Sequence, residues 1–381
     1  MSLQANWSYP TAVRFGAGRI SELAEACTEA GISRPLLVTD RGLADLPMVG
    51  AALDAMAQAD LGRSLFAGVD PNPDESNLAA GLAAFRDGGH DGVVAMGGGS
   101  GLDLGKLVAF MSGQTRPVWD FEDIDDWSSR ADVAGIAPIV AVPTTAGTGA
   151  EVGRAGVLSN SVTHEKKIIF HPQILPMQVI CDPELTLSMP PAITAGTGLD
   201  AFAHCLEAYC APNYHPMSHG IAVEGMRLVK DNLLQVFRDG SNIEARGHMM
   251  SAALMGATAF QKGLGAIHAL SHPLGAIYNT HHGTTNAVLM PAVLRFNRPA
   301  IETAIERLAA YLEIEGGFEG FHRYLVELNS LLGIPGSLTE LGVVDPDIDR
   351  LVLAALADPS AGGNPVTMTG ENTRALIEAC V

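Results

Sequence analysis

The first half of the chain alternates short apolar, β-branched runs with longer helix-like segments. Four runs are typical of buried strands, at residues 35–40, 63–69, 92–96 and 139–142. Ala-rich segments with helical periodicity lie between the first three runs, at about residues 44–59 and about residues 74–88. Because strands that alternate with helices of this length form βαβ units, this half is predicted to be an α/β domain with a Rossmann-like parallel sheet.

The second half has a different pattern. From about residue 192 to about residue 279 it is rich in Ala, Leu, Met and His with helical periodicity, and it stays mostly helical to the C-terminus. A chain of 381 residues is too long for one ordinary hydrophobic core. We therefore predict two domains, an α/β domain at residues 1–189 and an all-helical domain at residues 190–381, with the boundary at Pro190-Pro191.

Composition and charge exclude several classes of protein. Hydrophobic residues make up 47% of the chain and charged residues 17%, which predicts large buried cores and not disorder. The net charge of −19 argues against nucleic acid or an anionic membrane as a partner. The five cysteines show no CxxC spacing, the N-terminus lacks the features of a signal peptide, and no run of 18 apolar residues occurs. A cytoplasmic location is therefore expected.

A glycine cluster, Gly97-Gly98-Gly99-Ser100, directly follows the third predicted strand and precedes a helix-like segment. Glycines let the backbone approach a ligand, and amides at the start of a helix bind phosphate. The cluster is not the GxGxxG fingerprint, because Leu102 and Leu104 occupy its later positions. On this motif alone, phosphate binding and a plain tight turn are both open.

Two further features near predicted strand ends suit a nucleotide. Residues 143–149 are small and rich in hydroxyls, as in a loop that lines ribose or phosphate, although a polar turn would have the same composition. Asp40 ends the first predicted strand, where a carboxylate can bind a ribose 2′-hydroxyl and repel a 2′-phosphate. That position favours NAD over NADP, and its alternative is a cap on the following turn.

Acidic and histidine side chains recur at a spacing typical of metal sites. Two pairs at i,i+4 lie in apolar, helix-like segments, so both members of a pair face the same side of a helix. A carboxylate and imidazoles from separate helices suit a divalent metal such as iron or zinc. A single helical histidine is more often a core residue than a ligand. Spacing leaves five candidate ligands for four places: Asp200, His204, His268, His272 and His282.

The chain resembles the iron-containing (group III) alcohol dehydrogenase family along essentially its whole length. Four motifs carry the resemblance: GGGSGLDLGK at 97–106, PTTAGTGAE at 143–151, GLDAFAHCLEAY at 198–209 and GLGAIHALSHPLGAIYNTHHGTTNAVLMP at 263–291. It implies a dehydroquinate synthase-like architecture, in which an α/β dinucleotide-binding domain precedes an all-helical metal-binding domain and the active site lies between them.

The resemblance also implies an activity, hydride transfer from a metal-bound alkoxide of a small alcohol to nicotinamide C4 of NAD, or the reverse reaction on an aldehyde. Fe2+, or Zn2+, would be held by Asp200, His204, His268 and His282, which leaves His272 for a proton path near the nicotinamide. A homodimer is expected, because family members are often dimers. The implied cofactor-binding residues are Asp40, Asn72, Gly98, Gly99, Ser100, Thr144, Thr145 and Lys166.

Three positions depart from the family pattern. Gly101 and His281 stand where the family usually has proline, and His281 is a further candidate for a contact with the metal. Residues 259–265 form a shorter segment that contains Lys262, which would either pair with a substrate carboxylate or phosphonate or be solvated on a loop. Substrates such as 4-hydroxybutyrate, a hydroxyacid–oxoacid activity and a dehydroquinate synthase-like lyase are the alternatives.

Overall fold

The computed structural model describes residues 9, 11–163 and 165–381. The chain divides into two compact units. The α/β unit contains Pro10–Thr145 and Gly149–Leu187, and the helical unit contains Ser188–Val381 and Ala146–Thr148. The first eight residues, on which the expectation about a signal peptide depends, lie outside the described residues.

A six-stranded sheet forms the centre of the α/β unit, and all its strand pairs are parallel. Its strands are β1 (Ala12–Phe15), β2 (Pro35–Asp40), β3 (Leu65–Val69), β4 (Gly92–Gly97), β5 (Ile139–Pro143) and β8 (Gln178–Cys181). They lie in the order β1-β8-β5-β4-β2-β3. A separate antiparallel hairpin consists of β6 (Ala155–Ser159) and β7 (Lys166–Phe170).

The central strands are buried on both faces, as their sequences predict. Every residue of β4 and β5 is buried, which explains why these strands read as continuous apolar runs without alternation. The predicted Rossmann-like α/β fold followed by a helical region is confirmed. Strands β1 and β8 were not predicted, because each has only four residues and pairs with strands distant in sequence.

Four helices pack against the sheet: α1 (Leu23–Glu29), α2 (Pro47–Gln58), α3 (Glu75–Asp87) and α4 (Gly99–Met111). Helix α4 lies close to the sheet because Gly105 has no side chain. A Cβ at Gly105 would stand 2.5 Å from the Cβ of Ala95 in β4. This close approach brings the N-terminus of α4 to the carboxyl end of β4.

The order of the strands creates an edge of the kind at which parallel sheets bind ligands. From β2 the chain passes to β3 on one side, and it then returns to β4 on the other side of β2. In open parallel sheets, ligands bind at the carboxyl ends of the strands where the direction of winding reverses. The residues that follow β2 and β4 lie at this point.

The helical unit contains eight α-helices among the described residues. Helix α5 (Pro191–Cys210) packs against α6 (Pro216–Arg238), α7 (Ile243–Ala259) and α9 (His282–Tyr311). Its contact with α6 is close because Gly198 and Gly225 replace side chains there, and a Cβ at Gly225 would lie 2.6 Å from Cys205 Sγ. The helices are α5 (Pro191–Cys210), α6 (Pro216–Arg238), α7 (Ile243–Ala259), α8 (Ala266–Tyr278), α9 (His282–Tyr311), α10 (Gly317–Leu331), α11 (Ile348–Ala357) and α12 (Gly370–Glu378).

The long helices of this unit are amphipathic or interrupted by polar residues. Helix α9, with 30 residues, contains Pro291 and Pro299 and carries charged side chains from Arg295 onward. In the part of the chain that the structure describes, no helix combines the length and apolar character needed to cross a bilayer.

Candidate metal centre and nucleotide site

Three helices of the helical unit bring the predicted metal ligands together. Asp200 and His204 lie one turn apart on α5, His268 lies on the first turn of α8, and His282 is the first residue of α9. The Nε2 atoms of His204 and His268 each lie 3.7 Å from Asp200 Oδ1, and Nε2 of His282 lies 3.5 Å from it. The candidate ligand atoms of Asp200, His204 and His268 all lie within 4.8 Å of one another.

These separations fit a divalent ion. A tetrahedral ion with bonds of about 2.1 Å has ligand atoms about 3.4 Å apart. Asp200, His204 and His268 are almost fully buried, with 3%, 4% and 1% of their surfaces exposed. Buried carboxylates and imidazoles need partners, and a shared cation would supply one to each. The residues present therefore suit the group that the donor set implies.

The electrostatics of the cluster favour cation binding. Burial raises the pKa of the Asp200 carboxyl, but the imidazoles of His204, His282 and His268 outweigh burial and hold that pKa well below its usual range. Burial lowers the pKa of His204 to about 4, so this imidazole offers a lone pair at neutral pH. Burial also lowers the pKa of His268, but the carboxylates of Glu207 and Asp200 outweigh it and raise the value to about 10. A bound ion must displace this proton.

Glu207 orients His268 from behind. Its Oε2 lies 2.6 Å from Nδ1 of His268, and its Oε1 accepts a hydrogen bond of 2.7 Å from the backbone N–H of Ile267. The carboxylate therefore fixes the Nδ1–H tautomer of His268 and turns Nε2 toward Asp200. Glu207 was not singled out from the sequence. Its position three residues after His204, on the same helix face, was the available signal.

His272 lies beside the cluster with a different partner. Its ring is stacked on that of His282, with centroids 5.4 Å apart, and its side chain is 19% exposed. Nδ1 of His272 lies 2.8 Å from Oδ2 of Asp358. Burial raises the pKa of Asp358, but His272 outweighs burial and lowers it. This Asp–His pair leaves the Nε2 side of His272 to face other groups.

Asp358 belongs to a segment that forms hydrogen bonds with α8 at His272 and at Ala266. Asn364, six residues later, accepts a hydrogen bond of 3.0 Å from the N–H of Ala266 at the start of α8. The side chains of Asn364 and Asn297 exchange two hydrogen bonds of 2.7 and 2.9 Å. No local side chain caps α8, so its orphan N–H groups depend on Asn364 and Glu207. The sequence offered no local signal for this contact.

His281 caps α9. Its Nδ1 accepts a hydrogen bond of 3.3 Å from the N–H of Thr284 and lies 2.9 Å from the Thr284 hydroxyl. The residue is thus the N-cap of the helix whose first residue is His282. This contact gives His281 a structural role where the family pattern has proline.

Lys262 is not solvated, which corrects that expectation. Its side chain is 3% exposed, and Nζ donates to the carbonyl oxygen of Tyr209 at 2.9 Å and contacts Nε2 of His219. Burial lowers the pKa of Lys262 to about 8 and that of His219 to about 4. Tyr209 lies in the last turn of α5, so Lys262 caps the helix that carries Asp200. These contacts give no support to pairing with a substrate anion.

In the α/β unit, the glycine cluster begins α4. Gly98 is the N-cap, and Gly99 and Ser100 are the first two residues of the helix. Gly97 has a φ of +148°, which side chains rarely allow, so the turn from β4 into α4 requires glycine there. The first amides of α4 have no intrahelical partners and are oriented to bind an anion. Gly101 lies within the first turn, and its Cβ would approach the Met96 carbonyl oxygen at 3.0 Å.

Asp40 lies beside the start of α4, as do Thr144 and Thr145 in the loop after β5. Asp40 ends β2, and a Cβ at Gly97 would stand 3.5 Å from Asp40 Oδ2. The N–H of Thr144 donates to the carbonyl oxygen of Gly97 at 2.9 Å, and a Cβ at Gly98 would stand 3.2 Å from Thr145 Cγ2. The Oδ1 of Asp40 accepts a hydrogen bond from the N–H of Leu43. This is the turn cap weighed as the alternative, and it leaves Oδ2 for another donor.

Asn72 and Lys166 lie near each other at the hairpin. The N–H of Ser159 donates to the carbonyl oxygen of Pro73 at 2.8 Å, and Ser159 is paired with Lys166 across the β6–β7 ladder. Asn72 adopts a left-handed backbone with φ of +53°. The residue after Asn72 is therefore hydrogen-bonded to the strand residue that pairs with Lys166.

The fold and the two candidate sites define a class of protein. Its members combine an α/β unit, in which a glycine turn precedes a helix, with a helical unit that holds an aspartate–histidine cluster. Residues 10–183 match the iron-containing alcohol dehydrogenase family, and residues 194–381 match the C-terminal domain of Fe-containing alcohol dehydrogenases. The chain belongs to the iron-containing alcohol dehydrogenase family and is an oxidoreductase of that class.

Individual relatives are similar over the full length. A 4-hydroxybutyrate dehydrogenase of Cupriavidus necator is 38% identical, over 97% of this chain and 98% of the relative. The crystal structure of a 1,3-propanediol oxidoreductase superposes with a TM-score of 0.94 at 34% identity, over 99% of this chain and 100% of that one. A sulfoacetaldehyde reductase of Bifidobacterium kashiwanohense, solved with NAD+, has a TM-score of 0.89 at 27% identity, over 100% and 99% of the two chains.

Proposed function

We propose that the protein is a metal-dependent, NAD(H)-linked dehydrogenase that interconverts small primary alcohols and aldehydes. The convergence of Asp200 with three imidazoles is the observation that carries this proposal, because the Nε2 atoms of His204, His268 and His282 lie 3.5–3.7 Å from Oδ1 of Asp200. Asp200, His204, His268 and His282 are the proposed ligands of Fe2+, or of Zn2+. A divalent ion held there would supply Lewis acidity, which lowers the pKa of an alcohol and polarises an aldehyde carbonyl.

The chain's own residues supply orientation and proton transfer. Glu207 keeps His268 in the tautomer that presents Nε2 to an ion. Asp358 accepts the Nδ1–H of His272, which leaves Nε2 of His272 as the atom that would take up the alcohol proton and return it in the reverse direction. His272 is partly exposed, as a group that exchanges protons with solvent must be.

The α/β unit would bind the hydride acceptor. The amides at Gly98, Gly99 and Ser100 suit the pyrophosphate of a dinucleotide, and Oδ2 of Asp40 suits a ribose 2′-hydroxyl. Thr144 and Thr145 lie beside the same helix start, and Asn72 and Lys166 are proposed to line the remaining part of the site. The NAD+ complex of the sulfoacetaldehyde reductase supports NAD as the cofactor.

For the substrate, we favour a short alcohol with a second polar group at its far end. The relatives described above act, by their names, on 4-hydroxybutyrate, 1,3-propanediol and sulfoacetaldehyde. All three compounds combine a terminal alcohol or aldehyde with a polar group at the other end of a short carbon chain. Lys262 is not proposed to bind this second polar group, because its Nζ already contacts Tyr209 and His219.

A metal-reconstituted assay tests the proposal. Chelator-treated protein is loaded with Fe2+ or Zn2+ under argon, its metal content is measured by elemental analysis, and NAD(H) turnover is followed at 340 nm. The panel contains ethanol, 1,3-propanediol, 4-hydroxybutyrate and the corresponding aldehydes. We expect turnover that requires one metal ion per chain and is highest for the compounds with two polar ends.

His268→Ala tests the assignment of the metal ligands. It is expected to lose the metal and nearly all turnover while NADH still binds, as followed by NADH fluorescence. A variant that keeps stoichiometric metal and full turnover would show the ligand assignment to be wrong. NADH binding without any metal-dependent turnover on the panel would contradict the proposed activity and leave a different reaction of the same fold.

A further inference from the structure

Asn286 places one amide against three of the proposed metal ligands. The residue is fully buried and lies one turn after His282 on α9. Its Nδ2 is 2.8 Å from Oδ1 of Asp200, 3.3 Å from Nε2 of His268 and 3.2 Å from Nε2 of His282. These acceptors belong to α5, α8 and α9, so a single side chain connects the helices of the cluster.

The other end of this amide is unusual. Among the described residues, Oδ1 of Asn286 is a buried atom without a hydrogen-bond partner. Buried polar atoms are almost always paired, and an unpaired one is destabilising. The orientation of the amide is therefore set by Nδ2, whose hydrogens lie among the three ligand atoms.

The electrostatics explain that orientation. Oδ1 of the ionised Asp200 lies 3.7 and 3.5 Å from Nε2 of His268 and His282, which is longer than a good hydrogen bond, so these contacts by themselves hold the two rings only weakly. The amide hydrogens of Asn286 carry partial positive charge and link the three side chains before an ion binds. The strongest contact is with Asp200, because a hydrogen bond to an ionised group is shorter and stronger than one between neutral groups.

We propose that Asn286 is a positioning residue that holds Asp200, His268 and His282 in their metal-binding orientation in the metal-free protein. This inference rests on the metal centre of the proposed function. Without the amide, the three side chains would lose their common contact, and an ion would have to reorganise them on binding. Asn286 should therefore strengthen metal binding without itself being one of the proposed ligands.

Titration with Co2+ tests the inference, because Co2+ replaces Fe2+ or Zn2+ and its visible absorption reports coordination geometry. Chelator-treated wild-type protein, Asn286→Leu and Asn232→Leu are titrated in competition with a chelating dye. Asn232 is a matched control, since it is also buried and helical but its side chain donates to the carbonyl oxygen of Leu228 in its own helix. We expect Asn286→Leu to bind Co2+ about 10–100-fold more weakly and to show an altered visible band, and Asn232→Leu to match the wild type.

A second substitution separates positioning from packing. Asn286→Asp keeps the shape of the side chain but replaces the amide donor with a second carboxylate beside Asp200, so the metal-free Tm should fall although the packing volume is unchanged. If Asn286→Leu does not fold, Asn286→Ser is titrated in its place with the same expectation of weakened binding.

Two results would overturn the inference. One is wild-type Co2+ affinity and spectrum in Asn286→Leu, or in Asn286→Ser where that variant replaces it. The other is an equal loss in the Asn286 variant and Asn232→Leu, which would indicate general destabilisation. Failure of the wild-type protein to bind Co2+ would instead contradict the metal centre itself, so the two failures are distinguishable.

Discussion

Glu207 and His268 form a buried carboxylate–imidazole pair, with Oε2 of Glu207 2.6 Å from Nδ1 of His268. The same carboxylate also accepts the N–H of Ile267, so it fixes both the ring and the first turn of α8. A residue on α5 thus sets the orientation of a proposed ligand on another helix. This dependence makes the metal affinity sensitive to a side chain that need not touch the ion.

Glu207→Gln tests that dependence. Glutamine retains the shape and can still accept one hydrogen bond, but it removes the negative charge that makes His268 a stronger donor to a metal. We expect Co2+ or Zn2+ to bind about 10–100-fold more weakly, as measured by competition with a chelating dye. Unchanged affinity would mean that the carboxylate only caps α8.

Asp358→Asn addresses the proton path. The asparagine oxygen can still accept from Nδ1 of His272, but the charge that stabilises a protonated imidazole is lost. We expect turnover to fall about 10-fold or more while the metal content by elemental analysis stays at the wild-type level. Loss of metal from this variant would instead make the 358–364 segment a support of the metal centre.

Lys262→Met removes the donor to Tyr209 and keeps the aliphatic stem. We expect a lower Tm, since the carbonyl oxygen at the end of α5 loses a buried partner worth about 1–3 kcal/mol. The ratio of KM for 4-hydroxybutyrate to KM for 1,3-propanediol should stay unchanged. A selective rise in KM for the carboxylate would restore the earlier hypothesis that Lys262 pairs with a substrate anion.

Asp40→Gly changes the proposed ribose contact. Without the carboxylate, a 2′-phosphate is no longer repelled, so the ratio of kcat/KM with NADP to that with NAD should rise about 10-fold or more. Asp45→Gly, which changes a nearby acidic residue of the following turn, is the control. An unchanged cofactor ratio in Asp40→Gly would remove Asp40 from the ribose site.

The buried carboxyl of Glu151 predicts a pH dependence of stability. Burial raises the pKa of Glu151 from its ordinary 4.5 to about 7, against the opposing effect of Lys106. The folded protein therefore keeps a proton that the unfolded chain releases above pH 4.5, so this stabilisation is present at low pH and is lost as the pH rises through 7. Relative to Glu151→Gln, the wild type should lose on the order of 2 kcal/mol between pH 5 and pH 8.

Melting temperatures of the wild type and Glu151→Gln at these two pH values measure the effect. The variant carries no titrating group at this position. The Tm of the wild type should therefore fall relative to that of Glu151→Gln when the pH is raised from 5 to 8. A constant difference would show that Glu151 is ionised in the folded protein throughout this range.

Short stretches of sequence were enough to predict the elements whose hydrophobic patterns are local. Strand β2 was predicted at its observed bounds, because all but one of its residues are buried and the run is apolar. The spacing of Asp200 and His204 predicted one helix face, which the structure shows. Glu207 and Asn286 carried the same helical spacing but no chemical signal of their own, since an acidic or amide residue on a helix is usually exposed.

The chain's local patterns determined the α/β fold and the helical unit, and they predicted the candidate ligand-binding residues. Only the tertiary structure decided what two polar side chains contact: Asn364 at the start of α8 and Lys262 at the end of α5. The Asn364 and Lys262 contacts join residues 98 and 53 positions apart. Such contacts depend on how helices pack, and no short stretch of sequence encodes which distant partner a polar side chain will meet.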